Sequence, residues 1–132
     1  MDSLEPLLAV ARAVREKAHA PYSNFKVGAS LLDEQGRIHA GCNVENSAYP
    51  QGLCAEAGAI AAMVAAGGTR IVAAVVVGEG AQPCTPCGGC RQKLREFAHD
   101  DTPVIVADMQ QVRGRFTLGE LLPHGFGREH LK

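Results

Sequence analysis

The chain has 132 residues, with 13 Lys and Arg against 14 Asp and Glu, and its net charge of −1 offers no cationic surface for a polyanion. It has no Trp, aromatic residues make up only 5%, and no basic stripe carries interleaved aromatics, so a polynucleotide substrate is disfavoured. The length suits one domain over 1–132, able to bury roughly two-thirds of its unfolded surface without disulfide staples.

In chain order, Leu4, Leu7, Leu8, Ala11 and Val14 recur at helical spacing among Arg12, Arg15, Glu16 and Lys17. Residues 3–18 therefore read as an amphipathic core helix, neither a signal peptide nor a membrane span. Strands near 27–33 and 37–43 form a hairpin around Asp33-Glu34-Gln35-Gly36. Residues 54–66 are rich in helix formers and stop at Gly67-Gly68. The apolar run Ile71 to Val77 reads as a buried central strand. A helix over 87–98 follows Pro86, then a short apolar strand at 104–107 and an edge strand at 112–117. Thr117-Leu118-Gly119-Glu120 has the capping-box pattern and opens a short helix that Pro123 ends. Strands alternating with helices indicate a layered α/β domain with a mixed sheet, both cysteine-bearing helices following strands at one end of it.

The chemistry is concentrated in Cys54-Ala55-Glu56 and Pro86-Cys87-Gly88-Gly89-Cys90. A CxxC pair opening a helix lets two sulfurs converge on one ion, and Zn²⁺ accepts thiolate readily in a tetrahedral shell. Cys54 supplies a third ligand, and no obvious fourth stands beside it, which is the pattern of a catalytic site whose last position belongs to water. Glu56, two residues on, lies within reach of that water as a proton carrier. Both ligand sets sit at predicted helix N-termini, where unpaired N–H groups and the macrodipole favour thiolates. Five cysteines without an export signal suggest a reducing cytoplasm and metal rather than disulfides. Cys84 reads as a buried spare thiol on the strand-side approach and Cys42 as packing beside Asn43. Taken one at a time, these features have plainer readings: a structural zinc module, a helix-start acid at Glu56, turn residues at Asn43 and Glu45, and solvated or capping roles for the five histidines.

The CAE and PCGGC elements, in this order, resemble the zinc-dependent cytidine deaminases of the small homotetrameric, three-cysteine type. Pro21-Tyr22-Ser23-Asn24-Phe25, Gly41-Cys42-Asn43-Val44-Glu45-Asn46, Tyr49-Pro50, Glu120-Leu121-Leu122-Pro123 and Phe126-Gly127 extend the likeness along nearly the whole chain. The resemblance implies a three-layer α/β/α fold with a mixed five-stranded sheet. It further implies Zn²⁺ held by Cys54, Cys87 and Cys90, and hydrolysis of cytidine and deoxycytidine at C4, with Glu56 shuttling protons to the ring and then to the departing amine. It assigns Asn43 and Glu45 to the ribose 3′ hydroxyl, Phe25 to the pyrimidine face and the backbone of Ala55, with Glu56, to the base edge. Tyr22 and Tyr49 would close the pocket, and Phe126 would reach into a neighbouring subunit's site. The implied setting is pyrimidine salvage in the cytoplasm by a homotetramer whose partner is a small nucleoside, with no nucleic acid and no membrane.

The chain departs from the pattern at Ala57, where many three-cysteine members carry an Arg that donates to the zinc thiolates. Charge compensation then falls to backbone N–H groups at the helix starts or to Arg91, and a less acidic water at the metal is expected. Two further readings stand beside cytidine deamination. One is a deaminase of a modified cytosine nucleoside, blasticidin-type or N4-substituted, and the other is a non-catalytic zinc-stabilised binding domain.

Overall fold

Residues 4–131 are described by the computed structural model, in which Leu4–Arg15 (α1) is followed by the hairpin of Val27–Asp33 (β1) and Ile38–Cys42 (β2). The first predicted helical residue, Ser3, lies outside the described residues. Three residues fewer than predicted are helical at the other end, because beyond Arg15 the amides of Glu16 and Lys17 bond three residues back and the chain turns away. Then come Ala55–Ala65 (α2), Ile71–Gly78 (β3), Gly88–Phe97 (α3), Pro103–Ala107 (β4), Val112–Thr117 (β5) and Leu118–Leu121 (α4). The predicted capping box is present, with Thr117 and Glu120 exchanging bonds across the start of α4. Two short 3-10 turns, Tyr49–Gln51 and Arg128–Leu131, have no signature in the sequence strong enough to predict them. Among the described residues no helix is long and apolar enough to cross a membrane.

The five strands form one sheet in the order β2-β1-β3-β4-β5. β1 is antiparallel to both β2 and β3, and β3 is parallel to β4, so β2, β3 and β4 all run the same way. β5 closes the far edge antiparallel to β4. One face of the sheet packs on α1 through Leu7, Leu8, Ala73, Val75 and Val77, and the other packs on the remaining helices through Leu31, Ala59, Met63, Leu94 and Leu118. These are the three layers expected.

Two glycines let the helices lie directly on the sheet. A Cβ on Gly28 would come within 2.2 Å of the Ala11 carbonyl oxygen in α1. One on Gly41 would meet the Ala59 amide of α2 at 2.3 Å and the Ala55 carbonyl at 2.4 Å.

At the opposite end of α2 from its cysteine, the hairpin turn is tied in by a buried carboxylate. Asp33 accepts from the Gln35 and Arg37 amides, from Arg37 Nε at 2.9 Å and from His39 Nε2 at 2.8 Å, while Arg37 also donates to the Ala66 carbonyl at the C-terminus of α2. His39 is thus a buried partner of Asp33, contrary to the solvated or capping role expected of it, because β2 turns it inward beside that acid. Burial alone would raise the Asp33 carboxyl, but the bonds from His39, Arg37 and Gln35 outweigh it and hold the group well below its ordinary 3.8. A depressed folded-state value means stabilisation that is fully present above pH of about 4 and is lost as the pH falls below it. Asp33→Asn is therefore expected to lower the melting temperature at pH 7 and to flatten its decline between pH 5 and 3, as followed by circular dichroism.

Candidate metal centre and its cavity

Because β2 and β3 are parallel to each other, the segments leaving their C-terminal ends emerge at the same edge of the sheet. Each leads into a helix whose first flanking residue is a cysteine, Cys54 before α2 and Cys87 before α3, and Cys90 follows in the first turn of α3. The three Sγ atoms all lie within 4.8 Å of one another, with Cys54 and Cys87 3.9 Å apart. Zinc–sulfur bonds of about 2.3 Å in a tetrahedron place sulfurs about 3.8 Å apart, so the cluster fits that ion. Among the described residues no further His, Cys, Asp or Glu joins the group, which leaves one coordination position without a protein ligand.

The electrostatics also call for a cation. Burial pushes the thiols of Cys54 and Cys90 up; Glu56 and the neighbouring sulfurs add to it at Cys90, while at Cys54 the bond with Cys90 offsets part of the rise. Cys87 goes the other way, because the backbone amide of Cys90 at the start of α3 favours its thiolate. Three thiolates this close repel one another strongly unless a positive ion lies among them.

Glu56, only 5% exposed in the first turn of α2, has its carboxyl raised by that burial. It borders a cavity of about 300 Å³ whose wall also includes Ala55, Cys54, Cys87, Phe25 and Asn43. Val27, Cys84 and Thr85 complete the lining. Cys84, expected as a buried spare thiol on the strand-side approach, is half-buried and lines this cavity, since the loop after β3 folds it back over Gly78, where a Cβ would stand 2.8 Å from its Sγ. Its thiol is pushed up to about 11 by burial and by the charges of Glu56, Cys54 and Cys87. Thr85 and Val27 carry no catalytic signature of their own, and only the path of the chain brings them here.

Asn43 orders the wall it belongs to. Its Oδ1 accepts from the Val27 amide and its Nδ2 donates to the Phe25 carbonyl, both at 2.8 Å, leaving one lone pair and one N–H for another partner. Glu45 instead borders a separate cavity of about 370 Å³ with Tyr22, Tyr49 and Ser23. Its carboxylate accepts from the Ser23 hydroxyl, the Tyr22 amide and the Ser23 amide, and these bonds lower its pKa. The turn that offers them needs Asn24 at φ 59°, a conformation Asn tolerates better than most residues. Tyr22 and Tyr49 meet edge to face at 5.9 Å and remain largely exposed. Phe126 lines neither cavity: it stacks on His130 at 4.9 Å and points a half-exposed ring to solvent. Arg91 makes no bond to sulfur among the described residues; its three guanidinium nitrogens donate to the Pro86 carbonyl, the Leu121 carbonyl and the Thr85 hydroxyl.

Comparison with known proteins agrees with this site. Residues 1–106 match the family described as the cytidine and deoxycytidylate deaminase zinc-binding region. The chain is 41% identical over 128 residues to a cytidine deaminase from Sporosarcina psychrophila, an alignment covering 97% of this chain and 94% of that one. A cytidine deaminase from Mycobacterium tuberculosis is 42% identical over 114 residues, covering 86% of this chain and 82% of its own. The crystal structure of a cytidine deaminase from Burkholderia pseudomallei superposes with a TM-score of 0.86 at 45% identity, over 92% of this chain and 98% of that one.

Proposed function

The chain belongs to the cytidine and deoxycytidylate deaminase family and is a zinc-dependent hydrolytic deaminase, and from that premise we propose that its substrates are free cytidine and deoxycytidine. The products are uridine and deoxyuridine, with the amino group leaving as ammonia. The observation that supports this reading most directly is the meeting of three cysteine sulfurs and a buried glutamic acid at one end of a nucleobase-sized cavity.

Cys54, Cys87 and Cys90 hold the zinc, which when bound acts as a Lewis acid that makes a water nucleophilic near neutral pH. Glu56 takes the proton of the attacking water, delivers it to N3 of the pyrimidine and carries the next one to the departing amine. A carboxyl whose pKa is raised by burial suits both directions of transfer. Phe25 packs on the ring, and the backbone at Ala55 reads the base edge with Glu56. Asn43 uses its remaining N–H and lone pair on the sugar, and Glu45 accepts from the sugar hydroxyl. Neither cavity has a Lys, Arg or His in its lining, and Glu45 is anionic, so a 5′ phosphate would find repulsion and no cation; this favours nucleosides over nucleotides.

Residues 1–132 form one domain in this reading, working in pyrimidine salvage in the cytoplasm as a homotetramer. The solvent-facing Phe126 then enters a neighbouring subunit's site, and Tyr22 and Tyr49 close the pocket at the same seam. Loss of cytidine absorbance, run beside deoxycytidine, dCMP and N4-substituted cytidines, tests the proposal. Turnover of both nucleosides with dCMP inert supports it; preference for dCMP or for a substituted cytosine alone overturns the assignment.

The ligand set has its own test. Cys87→Ala removes one of three sulfurs from an ion that has no spare protein ligand, so bound zinc should fall from one per chain towards none by metal analysis, with turnover falling in proportion.

A further inference from the structure

The loop between β3 and α3 brings Cys84, Thr85 and Cys87 to the cavity and contains no regular structure to hold them there. Arginines from outside the cavity hold it instead. At its start, Arg113 in β5 donates to the Gly80 and Ala81 carbonyls at 2.9 and 2.8 Å. At its end, Arg91 donates from Nε to the Pro86 carbonyl at 2.7 Å and from one terminal nitrogen to the Thr85 hydroxyl at 3.2 Å. The other terminal nitrogen donates at 2.8 Å to Leu121, the last residue of α4. One half-buried guanidinium thus joins the two residues immediately before Cys87, the helix that carries Cys90, and a third element packed against that helix.

We propose that Arg91 is a positioning residue of the metal centre, its fork fixing the Thr85-Pro86 approach to Cys87, rather than a counter-charge for the thiolates. The geometry separates the two roles, because all three nitrogens are engaged with neutral oxygens. A free Pro86 carbonyl lets the peptide before Cys87 rotate, and that rotation moves its Sγ relative to Cys54 and Cys90. Lysine keeps the charge, but its three N–H donors radiate from a single nitrogen on a flexible stem and cannot span three acceptors spaced around a guanidinium fork. Charge conservation should therefore not rescue the site. The inference rests on zinc occupying the cysteine cluster and not on which nucleoside is turned over, so its metal measurements are read independently of substrate.

The test compares wild type, Arg91→Lys, Arg91→Met, Thr85→Val and, as a stability control on the opposite face of the sheet, Leu8→Ala. Competition with a chromogenic chelator should show zinc held about 10- to 100-fold more weakly by Arg91→Lys, the usual cost of losing support around a ligand, and several-fold more weakly by Thr85→Val. The visible bands of cobalt-substituted Arg91→Lys should shift, reporting altered sulfur geometry, while the midpoint of its pH–rate profile stays in place. Wild-type zinc affinity in Arg91→Lys overturns the proposal. So does equal zinc loss from Leu8→Ala, which would trace the effect to general stability, or a pH midpoint that moves in Arg91→Met and is restored by lysine. If Arg91→Lys does not fold, Thr85→Val, which leaves the guanidinium and its charge in place, decides alone: weaker zinc supports the role and unchanged zinc refutes it.

Discussion

Glu56→Gln is expected to lower kcat by about 10²- to 10⁴-fold while zinc content and fold stay intact. The amide matches the carboxyl in shape but can neither take a proton from water nor return one to a leaving amine, so the loss falls on the chemical step and KM should change far less. Stability provides the second readout. Glu56 is 5% exposed and its carboxyl is raised by burial, which means the ionised form is costly where it stands. A residue retained for the fold should lose melting temperature on replacement. One retained for proton transfer should leave it unchanged or raise it, because the variant no longer ionises a buried acid. Single-turnover kinetics beside a thermal melt of zinc-loaded protein checks both. A variant that is destabilised and yet keeps wild-type kcat would place Glu56 in the fold and outside the chemistry.

Much of this site was legible in the sequence because each signal was local. Cys54 and Cys87 stand at helix starts marked by helix-forming composition and by Pro86, and the Thr117–Glu120 capping box is a four-residue pattern that forms as written. The convergence of Cys54 with Cys87 depends on β2 and β3 being parallel, which the alternation of strands and helices implied. What could not be read is what depends on pairs distant in sequence. Arg91 reads from the sequence only as a candidate counter-charge, and its bonds to Pro86 and Leu121 exist only once the fold brings them to it. His39 looks solvated until β2 turns it onto Asp33. Cys84 has the composition of a core thiol, and only the folded-back loop turns it to the cavity. Glu45, assigned with Asn43 to one hydroxyl, lines a different cavity from Asn43, with its carboxylate engaged by the Tyr22-Ser23 turn.

Gly41→Ala should damage both the fold and the site. The added methyl would sit 2.3 Å from the Ala59 amide, 2.4 Å from the Ala55 carbonyl and 2.8 Å from the Gly58 carbonyl carbon, all of them helix backbone that cannot rotate aside. Relief requires α2 to lift from β2, and overpacking costs about 1–3 kcal/mol, occasionally more, with clashes against rigid backbone at the upper end. The damage is not confined to stability, because α2 begins at Cys54 and carries Glu56 in its first turn. A shift of about 1 Å at a catalytic group is enough to cost roughly 100-fold in rate, so the protein that remains folded should turn over cytidine at about a hundredth of the wild-type rate. Gly88→Ala supplies the contrast. Gly88 belongs to the cysteine motif itself, yet a Cβ there meets nothing within 4 Å and its backbone is not left-handed, so urea unfolding should differ from wild type by less than about 1 kcal/mol. If Gly41→Ala unfolds at the wild-type urea midpoint, the close seating of α2 on β2 is not what holds Glu56 and Cys54 at the cavity. If it unfolds early and Gly88→Ala does not, the glycine that governs the site lies outside the motif that announces it, because the motif supplies the ligands while Gly41 sets the distance at which the sheet presents them.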